Sequence, residues 1–179
     1  MCHVITGISV VAVMALSASV VSAGMVNKNV SYDIGGKNFQ GSLVYDDSVS
    51  AKRPAVLMAP NWMGVTGAAV TKAKMLAGRK YVFFVADMHG AKTRPKNGKE
   101  AGKAAGAVRK DIPAMRARIN KAMDVLLAQG SSLGITNNAK TAAIGFCFGG
   151  GNVLELARSG RDVKGVVSLS WRSQGQVPC

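Results

Sequence analysis

Gly145-Phe146-Cys147-Phe148-Gly149 constrains this chain more than any other stretch. It follows an apolar run at residues 141–144 and precedes a helical segment at 149–158, so strand must become helix within one residue. Such a turn needs glycine on both sides, because a larger residue would collide with the bent backbone, and it lifts its central side chain clear of the sheet. The side chain lifted here is a thiol, which makes the motif a nucleophile elbow with cysteine at its apex. The positive end of the helix that starts near Gly149 favours the thiolate and hence attack on a carbonyl carbon. The competing reading is a buried structural cysteine beside a glycine-rich helix start. A dinucleotide loop does not fit, since no G-x-G-x-x-G can be read there and no P-loop lysine follows.

The rest of the chain supplies a sheet for that elbow. Residues 30–34 and 40–45 alternate polar and apolar around Gly35-Gly36-Lys37-Asn38, which predicts an opening hairpin. Residues 54–59 and 81–86 are buried-strand runs, and 163–169 is another. Between the first two lies a helix with Ala69, Val70, Ala73, Leu76 and Ala77 on one face, Thr66 as its cap and Gly78 at its stop. Residues 111–129 form the clearest helix, capped by Asp111, striped by Met115, Ile119, Met123, Leu126 and Leu127, and ended by Gly130. The helix after the elbow is expected to turn Val153, Leu154 and Ala157 inward. Apolar strands alternating with helices imply an α/β fold, with a mainly parallel sheet covered by helices on both faces.

Residues 1–23 read as a signal peptide, uncharged and almost continuously apolar or small before Val21-Ser22-Ala23. The segment offers only His3 where a basic residue is expected, so an uncleaved anchor and initiation at Met25 stay open beside cleavage. Cleavage implies a periplasmic or secreted protein with no membrane span afterwards. Residues 24–169 then form one domain, and all of the +14 net charge lies beyond the leader. Lys92, Arg94, Lys96, Lys99, Lys103, Arg109 and Lys110 gather much of it against the single acid Glu100. That stretch contains no aromatic residue for base stacking, so it is read as a solvated loop and helix face, with no nucleic-acid partner. Cys2, Cys147 and Cys179 give neither a disulfide framework nor a metal-ligand spacing, and no cofactor is expected.

With these residues in place, the chain resembles the dienelactone hydrolase family of the α/β-hydrolase fold from about Tyr32 to Leu169. The resemblance is carried by Asn61-Trp62-Met63-Gly64-Val65, Ala86-Asp87-Met88-His89-Gly90 and the elbow. It implies that Cys147 attacks a small ester or lactone, an anionic one included, while the backbone amides of Trp62 and Phe148 hold the oxyanion. Asn61 stands where well-studied members carry a glutamate that modulates the thiol, and asparagine cannot act as a base. Asn61, His89 and Arg94 are candidate substrate contacts, and a monomer is expected.

Triad order in this fold is nucleophile, acid, histidine, and no histidine follows Cys147. The last strands and helices of the fold are therefore expected to be lacking, with activity lost or impaired and the strand at 163–169 left as a raw sheet edge. Residues 170–179 read as an aberrant, out-of-frame tail. Ser170-Trp171-Arg172-Ser173-Gln174 can be encoded by TCA TGG CGG TCT CAA, which one base later gives the family's His-Gly-Gly-Leu. Resequencing the locus tests this. Two rival readings are an exported non-catalytic protein that binds anionic ligands and a thiol-transfer protein using Cys147 and Cys179.

Overall fold

A two-glycine turn opens the chain. Gly35 and Gly36 have φ of +57° and +77°, the pair of positive angles that a two-residue hairpin turn requires. They join β1 (Met25–Ile34) to β2 (Lys37–Asp46), which pair antiparallel along their whole length. Both strands run longer than the sequence predicts. Asn27, Lys28, Lys37 and Asn38 hide the alternation at their ends, but the main-chain ladder does not depend on those side chains. The structure, a computed structural model, describes residues 24–169. The leader expected over 1–23 and the tail expected over 170–179 lie outside the described residues.

Then come β3 (Arg53–Ala59), α1 (Gly67–Ala77), β4 (Val82–Val85), α2 (Gly98–Arg109), α3 (Ile112–Ser132), β5 (Thr136–Phe146), α4 (Phe148–Arg158) and β6 (Gly165–Leu169). The six strands form one sheet in the order β1-β2-β4-β3-β5-β6, parallel from β4 to β6. Leu43, Leu57 and Phe84 point to one face, where Ile119 and Leu126 of α3, Leu156 of α4 and Val108 of α2 cover them. Val44, Val56, Met58 and Phe83 point to the other and are covered by Ala73 and Ala77 of α1. Each large apolar side chain buried in this way contributes roughly 1.5–3 kcal/mol, which is why β4 and residues 55–59 of β3, covered on both sides, carry no polar residue. Thr66 caps α1 as expected, its hydroxyl accepting from the Ala69 N–H at 3.2 Å.

Besides Leu76, expected on the apolar face of α1 but 41% exposed, two helix details differ from the sequence reading. First, α3 does not stop at Gly130 but passes through it to Ser132, and the positive φ of +69° that ends it belongs to Gly134. Gly130 is there for clearance: a Cβ would stand 2.2 Å from Cγ2 of Thr136, where β5 crosses the helix. Second, of the three residues expected inward on α4, only Val153 is. Leu154 and Ala157 face out, while Asn152 and Leu156 are buried. Gly149 lies tight against β3, and that contact fixes the rotation of the helix, turning positions 149, 152, 153 and 156 to the core.

At the far side of the sheet, β6 pairs with β5, and no other strand among the described residues lies along its outer edge. Val167 is 50% and Leu169 49% exposed. No helix among the described residues is long and apolar enough to cross a membrane.

Candidate active site

The strand order reverses direction at β3. From β3 the chain moves to one side to make β4, then returns across it to make β5, so the loops leaving these strands diverge above a crevice. The segments after β3, β4 and β5 all reach that crevice. They carry Asn61 and Trp62, then His89 and Arg94, then Cys147 and Phe148.

Cys147 has φ +53° and ψ −114°, the one positive φ at a non-glycine position among the described residues. This conformation costs on the order of 1–3 kcal/mol and persists only where neighbours hold it. Here the Cys147 N–H donates to the Leu169 carbonyl at 2.8 Å, and the Cys147 carbonyl accepts from the Gly150 N–H at 2.9 Å. The glycines on either side are packed against main chain. A Cβ on Gly145 would fall 2.1 Å from the Gly149 oxygen, and one on Gly149 would fall 2.0 Å from the Ala59 oxygen. The cysteine is half-buried and lines a cavity of about 230 Å³ together with Ile112 and Met115 on an apolar wall and Arg109, Glu155 and Arg158 on a charged one. The thiol is therefore not sealed in the core.

Among the described residues, Glu155 is the only acid on that cavity. It accepts from Arg158 Nη1 at 2.7 Å and from Arg116 Nε at 2.8 Å. Those two bonds, Arg158 first, hold its carboxyl below the usual glutamate range, so it is a fixed anion and not a proton donor near neutrality. Arg109 stands over the Phe148 ring, 5.2 Å from its centroid. Neither Arg109 nor Arg116 had a local sequence signal pointing to the cavity, since each arrives from a different helix. The spacing of Glu155 and Arg158 on α4 was the available hint.

The loop after β3 is closed by Asn61. Its side-chain oxygen accepts from the Met63 N–H at 3.0 Å, and its carbonyl accepts from the Gly64 N–H at 2.9 Å, a turn that asparagine favours. Asn61 also lines a separate small cleft with Lys72 and Phe146 that does not include Cys147. The Trp62 carbonyl meets His89 Nε2 at 2.9 Å, and the His89 ring stacks on Phe148 with centroids 5.5 Å apart and planes at 17°. Trp62, His89, Phe148 and Cys147 thus form one continuous chain of contacts. A carbonyl can only accept, so Nε2 carries the proton, while Nδ1 is buried with no hydrogen-bond partner among the described residues. Burial holds the His89 pKa below the ordinary imidazole range. The neutral ring's contribution to stability is complete above about pH 6.5 and is lost as pH falls through the folded value.

Sequence reasoning missed the organising role of Asp87, although an acid placed directly after a buried strand and just before a glycine turn was a usable signal. Its carboxylate is fully buried and accepts four bonds, from the N–H groups of Gln40, His89 and Gly90 and from Arg94 Nη1, all at 3.0 Å. Arg94 also donates to the Gly90 carbonyl at 2.9 Å and the Gln40 carbonyl at 3.1 Å. The structure thus places Arg94, a candidate substrate contact, in bonds that tie the β4 loop to β2. Asp87→Ala leaves those donors without their acceptor and is expected to destabilise the protein by about 3 kcal/mol, moderated by water reaching the partly exposed Arg94. Thermal or denaturant unfolding measures it.

Among the described residues no group of three or more His, Cys, Asp or Glu side chains is placed to hold a metal ion. The family model for the dienelactone hydrolase family matches residues 39–170. The chain belongs to the dienelactone hydrolase family. Among solved structures, m3DLH is 33% identical with a TM-score of 0.73, covering 80% of this chain and 58% of that one. A dienelactone hydrolase-like promiscuous phosphotriesterase from metagenomic libraries is 30% identical, also at 0.73, covering 85% of this chain and 63% of its own. A dienelactone hydrolase from Anabaena variabilis, 20% identical at a TM-score of 0.58 over 80% and 62% of the two chains, shares the fold. This chain therefore spans about three fifths of the length of these relatives. No curated protein sequence matches it.

Proposed function

We propose that this dienelactone hydrolase family member is a thiol esterase, in which Cys147 is acylated by a small ester or lactone. The observation that carries the reading is the elbow itself: a strained cysteine, held by main-chain bonds, opening on a cavity large enough for a short acyl group. The thiolate sulfur forms a bond to the carbonyl carbon, and the carbonyl π pair moves onto oxygen. Phe148 lies in the first turn of α4, where main-chain N–H groups have no intrahelical acceptor, and its amide receives that oxyanion. The Trp62 amide is the second donor. The bonds closing its turn use the N–H groups of Met63 and Gly64 and not that of Trp62. Collapse restores the carbonyl and expels the alkoxide, which takes a proton from water. Water then cleaves the thioester, giving the carboxylic acid and the thiol.

Arg109 on the cavity wall and the basic surface around it support an acidic substrate, and the uncharged, largely apolar sequence of residues 1–23 supports export to the periplasm or beyond. Acylation of Cys147 is the step that these residues can carry, so the acyl-enzyme is the species to detect. The test is rapid mixing of the full chain with p-nitrophenyl acetate, followed by intact-protein and peptide mass spectrometry. The expected result is a burst of p-nitrophenolate near one equivalent and an acetyl group on Cys147. Absence of both, in protein whose Cys147 still reacts with iodoacetamide, overturns the reading in favour of a non-catalytic binding protein.

A further inference from the structure

The geometry points to His89 as a positioning residue that locks the Trp62 loop to the Phe148 elbow, so that the two oxyanion amides are held at a fixed separation. The inference rests on the acylation chemistry just proposed and adds a residue that takes no part in bond making. Three contacts enclose the ring. Its Nε2–H donates to the Trp62 carbonyl at 2.9 Å, its face lies on the Phe148 ring, and its Cδ2 edge is so close to Gly64 that a Cβ there would stand 3.0 Å away. The main chain of His89 is anchored in turn, its N–H donating to buried Asp87.

An oxyanion donor is effective only within a few tenths of an ångström of its target, so the loop bearing Trp62 must be tied to the helix bearing Phe148. The bonds of Asn61 close that loop on itself and leave its placement over α4 open. The His89 ring supplies the bridge. Gripping the Trp62 carbonyl holds the Trp62–Met63 peptide plane, one Cα away from the Trp62 N–H, while the stack on Phe148 sets the height of the loop above the elbow. The indole of Trp62 adds a second support, lying over Gly98 and Gly102 of α2.

Two reactions of the same sulfur separate this role from a general structural one. Acetylation by p-nitrophenyl acetate passes through an oxyanion. Alkylation by iodoacetamide does not, since a C–S bond forms as C–I breaks and iodide leaves. Both rates are measured for wild type, His89→Phe and His89→Gln, with thermal unfolding as the check on fold. Phenylalanine keeps the stack and loses the donor, whereas glutamine keeps a donor N–H. The expected result is an acetylation rate about 100-fold lower in His89→Phe, recovery of most of that loss in His89→Gln, and an unchanged alkylation rate in both. Equal acetylation of wild type and His89→Phe, or a parallel fall in both reactions, overturns the inference while leaving the esterase reading in place. A wild-type protein that alkylates but does not acetylate overturns the esterase reading, and the inference with it.

Discussion

Gly149→Ala is expected to cost the protein its elbow and most of its cooperative stability. The added methyl would stand 2.0 Å from the Ala59 carbonyl oxygen and 2.5 Å from that of Pro60. Both are main-chain atoms at the end of a central strand, so no side chain can swing aside. Either β3 or α4 must move, and overpacking of this kind costs about 1–3 kcal/mol or more from a total of about 5–15. The displaced strand end also carries Trp62, so ester acylation is expected to fall in whatever protein remains folded. Gly151→Ala, two residues along the same helix, is the matched control. A Cβ there meets nothing within 4 Å, and alanine is expected to raise stability by up to about 1 kcal/mol, as it does in an open helical position. Thermal unfolding of the two variants should therefore move in opposite directions. Equal midpoints would mean that the elbow is not packed as described.

Cys147→Ser is expected to have the reverse profile, with stability kept and chemistry lost. Serine fits the same space and the same φ of +53°, so the unfolding midpoint should match wild type. The hydroxyl, however, is a far weaker nucleophile than a thiol without a base to take its proton. Glu155 on the cavity is held as an anion between two arginines, and the His89 nitrogen that faces Trp62 is already a donor. Acylation by p-nitrophenyl acetate should fall on the order of 10³-fold or more, and iodoacetamide labelling at this position should vanish. A serine variant that acylates at the wild-type rate would show that another group is being modified.

The parts of this molecule that could be read in advance are those where a local pattern has a single physical outcome. The glycines around Cys147 admit one backbone, and the structure has it. The apolar runs of β3 and β4 could only be buried strands, and the two-glycine turn could only be a hairpin. What could not be read is set by partners distant in sequence. Gly130 resembles a helix stop until Thr136 is seen against it, and the inward face of α4 is chosen by the contact of Gly149 with Ala59. The same holds for the site. Cys147, Trp62, Phe148 and His89 were legible as candidates because each follows the end of a strand. Arg109 and Arg116 were not, because only tertiary packing brings their helices to the cavity or to Glu155.

Asp87 also has a dynamic consequence. One carboxylate receives Gln40 from the opening hairpin and Gly90 from the loop that carries His89, two segments about fifty residues apart in the chain. Opening either segment strands the shared acceptor, so the two should unfold locally as one cooperative unit. Amide protons of Gln40 and Gly90 should accordingly exchange with solvent with the same free energy of opening, although one belongs to a strand and the other to a loop.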